Sequence, residues 1–103
     1  MQVEQGGPEG SGAAAKLRAV ADVVSQRLGD AGVLIDMRTG RMFELNASGI
    51  RIWELVTEGL SPQAVVSRLQ HEFESTPADL EVEVRALVHD LVREGLLDVE
   101  PVG

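Results

Sequence analysis

The side chains that most often carry out catalysis or hold metal ions are few and scattered in this sequence. His71 and His89 are the only histidines, and neither belongs to a His-Glu-x-x-His pattern, which places two imidazoles on one helical face for zinc. Ser48 lies in the sequence NASGI, which lacks both glycines of a nucleophile elbow. No glycine-rich phosphate loop is present, and the carboxylates are explained by solvated helix faces. We therefore predict no catalytic residue, no metal site and no cofactor.

The amino-acid composition narrows the function further. The chain has 103 residues and no cysteine, which excludes disulfides, thiolate metal sites and cysteine nucleophiles. It carries 9 basic and 17 acidic residues, for a net charge of −8. Because Lys and Arg contacts to phosphates dominate affinity for nucleic acids, we expect no nucleic-acid partner. Nine of the acids lie in 72–100, against two arginines, which indicates either a solvated helix face or a surface for a basic partner.

Length and hydropathy indicate one small domain. Apolar residues make up 44% of the chain, which is enough for a core. No apolar run approaches the ~18–20 residues of a membrane span, and the N-terminus lacks a basic segment followed by an apolar one. We therefore expect a cytoplasmic protein with no membrane partner. Residues 1–16 are rich in glycine and are expected to form a flexible tail, with the folded domain over 17–103.

Three short apolar segments predict β-strands. Segments 20–28, 33–37 and 41–45 are separated by the glycine-containing turns GDAG and RTG, a pattern typical of hairpins. Alternation in the last segment places Phe43 and Leu45 on one face, expected to be the core, and the neighbouring side chains on the other. We expect a three-stranded antiparallel sheet. Segment 41–45 is an edge strand if strand order follows chain order.

Three helices are expected after the sheet. Asn46 is a cap for the first, which ends at Gly59, and Ser61 and Thr76 each precede a proline at the start of a helix. The third helix ends at Gly95, after which the chain is expected to pack back onto the core through Leu96, Leu97 and Val99. The fold class is therefore α+β, resembling a winged helix-turn-helix, with a three-stranded antiparallel sheet followed by three helices.

The third helix carries two adjacent apolar rows, and one row is enough to pack a surface helix on its domain. The rows are Leu80, Val84, Leu87 and Leu91, and beside them Val88 and Val92. The second row either joins the core or faces a partner. Winged helices often bind DNA, but segment 79–94 has five acids against two arginines, which opposes insertion into the major groove. A DNA-binding regulator is thus the weaker alternative.

Four short motifs follow one another along the chain: GVLID over 32–36, TGRMFELN over 39–46, SGIRIWEL over 48–55 and LVREGLL over 91–97. Their order resembles the PqqD-like family, also called RiPP recognition elements. The resemblance covers about residues 20–99 and implies a small winged-helix-like adaptor without catalytic residues. Such proteins bind the leader segment of a ribosomally made precursor peptide and present it to a modifying enzyme. The leader is added as an antiparallel strand beside the third strand, in a groove with the third helix.

The resemblance implies a peptide-binding site on this chain. The strand residues are Arg41, Met42, Phe43, Glu44 and Leu45. The helix residues are Leu80, Glu83, Val84, Leu87, Val88 and Leu91. Glu81 and Glu83 could meet Lys or Arg in a leader.

Two product classes fit the resemblance. A lasso-peptide pathway is favoured, because the chain is a separate short protein; its partners would be a leader peptidase and an ATP-dependent cyclase. The alternative is a peptide chaperone of the pyrroloquinoline quinone type, whose partner would be a radical-SAM enzyme. A subunit that binds only a folded enzyme, and no free leader, is a third hypothesis.

Overall fold

Two antiparallel sheets and three helices make up residues 15–101, the part of the chain that the computed structural model describes. The elements are β1 (Ala15–Ala19), β2 (Val23–Leu28), β3 (Ala31–Asp36), β4 (Arg41–Leu45), α1 (Ala47–Thr57), α2 (Pro62–Gln70), α3 (Pro77–Arg93) and β5 (Leu97–Pro101). Strands β2, β3 and β4 form a three-stranded sheet in that order, and β1 pairs with β5. The α+β fold, with its three-stranded sheet, its three helices and β4 at an edge, confirms the sequence-based expectation.

The β1–β5 ribbon was not predicted. It pairs residues far apart in the chain, with Ala19 opposite Leu97, so no local turn signals it. The predicted tail, 1–16, lies mostly outside the described residues, and its last two residues belong to β1. Leu97 is buried as expected, but Val99 is 51% exposed. The prediction that Val99 packs on the core was wrong, because the ribbon continues past the last core side chain.

The predicted start signals of the helices are all present. The side chains of Asn46, Ser61 and Thr76 each accept a hydrogen bond from the backbone N–H three residues later, at 2.8, 3.2 and 3.1 Å. These bonds satisfy N–H groups that have no partner within the first helical turn. Gly59 and Gly95 follow α1 and α3 with φ of 103° and 79°, a left-handed conformation that favours glycine.

Helix α1 is the centre of the core. It buries Gly49, Ile50, Ile52, Trp53, Leu55 and Val56. Leu34 of β3 is fully buried against it. Gly32 permits the close approach of α1 to β3, because a Cβ there would clash with the Ile50 side chain and lie 3.1 Å from the Gln26 carbonyl oxygen. The sheet is therefore held firmly on α1, and the position of β4 is fixed relative to the helices.

Candidate peptide-binding site

The register of the sheet identifies which backbone groups of β4 are free. The Met37 N–H donates to the Asp22 carbonyl at 2.9 Å, on the β2 side of β3. Successive residues of a strand direct their backbone groups to opposite sides. The N–H and C=O groups of Asp36, and of every second residue before it in β3, therefore point toward β4. Those residues stand opposite Arg41, Phe43 and Leu45.

It follows that the N–H and C=O groups of Met42 and Glu44 point away from β3. They lie at the open edge of the sheet, where an added strand would find two donors and two acceptors. Both side chains are exposed on the outer sheet face, and Phe43 and Leu45 are partly buried against the core. The predicted alternation along this strand is confirmed.

Helix α3 lies beside this open edge and forms the second wall of a groove. At one end, Arg41 Nη2 lies 3.1 Å from Glu94 Oε1. At the other end, the Ser48 hydroxyl donates to the Glu83 carboxylate. Arg41 is the first residue of β4 and pairs with Glu94, whereas Ser48 follows β4 and bonds to Glu83. Strand β4 and helix α3 therefore run in opposite directions. Between them is a cavity of about 470 Å³, lined by Glu44, Leu45, Asn46, Gly49, Glu83, Ala86, Leu87 and Asp90.

The structure separates the helix residues that were predicted to bind peptide. Glu83 and Leu87 line the groove beside β4. Three others, Leu80, Val84 and Leu91, are buried in the core with at most 3% of their surface exposed. Val88 lies on the opposite side of α3, in a cleft against α2. Peptide contact stays a prediction for the strand residues, Glu83 and Leu87, whereas the other four lie off the groove surface.

Sequence reasoning missed several residues of the groove. Ala86 and Asp90 line its cavity, and Glu94 lies at the end of the groove where it pairs with Arg41. With Glu83 and Leu87 they form a stripe along α3 at helical spacing. That spacing is visible in the sequence, but the stripe mixes acidic and apolar side chains and does not stand out as a face.

A buried carboxylate holds the β3–β4 hairpin against the end of α3. The Asp36 side chain accepts hydrogen bonds from the Arg38 backbone N–H at 3.0 Å and from its guanidinium at 3.0 and 2.9 Å. Arg38 Nη2 also donates to the Gly95 carbonyl at 3.0 Å. The Arg38 hydrogen bonds hold the pKa of Asp36 below its ordinary value of 3.8. This link positions β4 beside α3.

We expect acid to weaken this link. Because the pKa of Asp36 is lower in the folded state than in the unfolded state, its contribution to stability is present above the ordinary value of 3.8 and is lost as pH falls through the folded-state pKa. The free energy of unfolding should therefore fall below about pH 4, and less steeply in Asp36→Asn. Urea denaturation from pH 7 to about pH 2.5 measures this.

Two other carboxyls also make the free energy of unfolding depend on pH in the acid range. Hydrogen bonds from Arg27 and Arg51 lower the pKa values of Glu54 and Glu72, respectively, so Asp36→Asn should retain a shallower acid slope. Identical slopes in Asp36→Asn and the wild type would show that Asp36 does not contribute.

The Arg41–Glu94 ion pair is expected to contribute little to stability. Both side chains are partly exposed, at 57% and 32%, so each single charge reversal, Arg41→Glu or Glu94→Arg, should lower the free energy of unfolding by about 1 kcal/mol or less. The double reversal should recover part of that loss, which urea denaturation of the four proteins measures. Additive losses would mean that the pair does not couple β4 to α3.

Two features, a metal cluster and a membrane-spanning helix, are absent from the described chain. Across residues 15–101, no group of three or more His, Asp or Glu side chains is placed to hold a metal ion. None of the helices in that stretch is long and apolar enough to cross a membrane.

Comparison with known families matches residues 31–97 to Coenzyme PQQ synthesis protein D (PqqD). The match extends over more than half of the chain. The chain belongs to the PqqD family. The matched segment begins with β3 and ends where β5 begins, so it contains the whole groove between β4 and α3.

Two solved structures are similar to this PqqD family member. One is described as "TbiB1 in Complex with the TbiA(beta) Leader Peptide"; it has 32% sequence identity and a TM-score of 0.72, over 79% of this chain and 94% of the other. The second is "Lasso peptide synthetase B1 complexed with the leader peptide", with 28% identity and a TM-score of 0.72, over 81% and 98%. Comparison with curated proteins gave no match.

Proposed function

We propose that this protein is a non-catalytic adaptor that binds the leader segment of a ribosomally made precursor peptide and presents it to modifying enzymes. The observation that carries this proposal is the open edge of β4 directly beside the α3 groove. A leader strand antiparallel to β4 would bond to the backbone of Met42 and Glu44. Its alternate side chains would enter the groove, so that backbone bonds provide affinity and the groove provides specificity.

A lasso-peptide pathway is the favoured setting. A similar structure, 98% of whose chain is covered by the match, is a lasso peptide synthetase B1 complexed with the leader peptide. In that setting the partners are a leader peptidase and a cyclase. The second candidate, a peptide chaperone for a radical-SAM enzyme in coenzyme PQQ synthesis, is supported by the description of the family model.

Charge opposes the DNA-binding alternative. The groove side of α3 presents Glu83, Asp90 and Glu94, and this helix has only Arg85 and Arg93 as basic residues. A surface of this charge repels phosphates. The same charge is compatible with a peptide ligand.

Fluorescence anisotropy with labelled peptides tests the proposal. The panel contains the TbiA(beta) leader, leaders of other lasso precursors and a PQQ precursor peptide, with duplex DNA at low salt beside them. We expect saturable binding to a lasso leader and none to DNA. Binding to the PQQ precursor alone would favour the second candidate. Binding to DNA alone, or to no member of the panel, would contradict the adaptor function.

A further inference from the structure

The groove is chemically different at its two ends. At the end near Arg41, the carboxylate of Glu94 is already paired with the Arg41 guanidinium at 3.1 Å. The cavity at the end near Leu45 contains an apolar strip of Leu45, Ala86 and Leu87. No lysine or arginine is among the residues that line this cavity.

Two carboxylates flank the apolar strip. Within the described chain, Glu83 has a neutral partner, the Ser48 hydroxyl. Asp90 has only loose contacts on the surface of α3, with His89 Nδ1 at 3.7 Å and Arg93 Nη2 at 3.6 Å, and its side chain is 57% exposed. Exposed pairs of this kind neutralise little charge. Glu44 also lines the cavity, but alternation along β4 turns its side chain to the outer face.

An added strand would direct one side chain into this cavity. On an antiparallel neighbour of β4, the residue opposite Leu45 points to the same face of the sheet as Leu45, which is toward α3. Glu83 and Asp90 are seven residues apart, or about 10 Å along the helix. A long side chain placed between them can reach either carboxylate.

We propose that the leader residue opposite Leu45 is a lysine or arginine. This inference rests on the proposed function and specifies the chemistry of its ligand. The aliphatic stem packs on Leu45, Ala86 and Leu87, and the cation lies between Glu83 and Asp90, where it can pair with either carboxylate. Because the leader runs antiparallel to β4, the basic residue lies N-terminal to the residues opposite Phe43 and Arg41. The difference in charge between the two ends of the groove thus sets both the direction and the register of the leader strand along β4.

A peptide display library tests this proposal without knowledge of the natural leader. A library of random 12-residue peptides is selected on the wild-type protein, and selected peptides are kept if their binding is lost in Met42→Pro, which blocks the β4 edge. We expect these peptides to share a Lys or Arg at one position. In synthetic peptides, Lys at that position should bind about tenfold more tightly than norleucine, which keeps the stem without the charge.

The variant Glu83→Gln/Asp90→Asn should reduce this tenfold preference to about twofold or less. The matched control is Glu58→Gln/Glu74→Gln, which removes the same charge from exposed positions that do not line this cavity; it should keep the preference. Peptides that bind β4 without a shared basic residue, or a preference unchanged in the groove variant, would overturn this inference alone. Recovery of no peptide sensitive to Met42→Pro would overturn both this inference and the proposed function.

Discussion

Met42→Pro is expected to weaken leader binding at least about tenfold and to leave the fold intact. Proline removes the backbone N–H that would donate to an added strand, and its ring occupies the space of that strand. The loss of one hydrogen bond together with steric displacement of its neighbours accounts for this magnitude. The fold should tolerate the change, because edge strands accept proline where the N–H faces outward. Anisotropy with a leader peptide measures binding, and circular dichroism confirms folding.

The opposite edge of the sheet offers a matched control. The Val23 N–H donates to the Val20 carbonyl and not to β3, so alternation places the Ser25 N–H at the outer edge of β2. Ser25→Pro therefore makes the same chemical change at an exposed edge position far from the groove, and should leave leader binding unchanged. Equal losses in Met42→Pro and Ser25→Pro, or normal binding by Met42→Pro, would exclude β4 as the binding edge.

The parts of the fold with local signals were predicted correctly. The caps Asn46, Ser61 and Thr76 act within one helical turn, and the turn ending at Gly40, where φ is 76°, joins strands that are adjacent in sequence. Such features depend on a few neighbouring residues. The β1–β5 ribbon depends instead on pairing across almost the whole chain, from Ala15 to Pro101. No pattern within either strand specifies that partner.

Peptide binding at the site stays a prediction, but the structure does place β4 and α3 on either side of a groove, and it separates the predicted helix residues into buried and groove-lining ones. Hydrophobic periodicity marks the side of a helix that is buried, so it selected Leu80, Val84 and Leu91. A binding surface must remain accessible before the ligand arrives. The groove stripe accordingly combines Leu87 with acidic neighbours such as Asp90, at an angle to the buried row. Only the packing of β4 against one side of α3 distinguishes this groove stripe from the buried row.

Asparagine substitutions at Val84 and Leu87 are expected to differ in effect, the first acting mainly on stability and the second mainly on leader binding, although the two residues are about one helical turn apart. Val84 is 1% exposed in the core, so Val84→Asn loses apolar burial and leaves a carboxamide without partners. We expect the free energy of unfolding to fall by about 3 kcal/mol. Leu87 is partly buried and lines the groove. Leu87→Asn should lower the free energy of unfolding by about 1 kcal/mol and weaken leader binding about tenfold.

Urea denaturation and leader titration of both variants measure these effects, with each dissociation constant corrected for the folded fraction. The introduced side chain is the same and carries no charge, so any difference between the variants reflects position on α3. Folded Val84→Asn should bind the leader almost normally, because Val84 is buried in the core and does not line the groove beside β4. A variant of Leu87 that binds normally, or a variant of Val84 that is stable and binds poorly, would place the leader on the other side of α3. The cleft with α2 around Val88 would then be the peptide site.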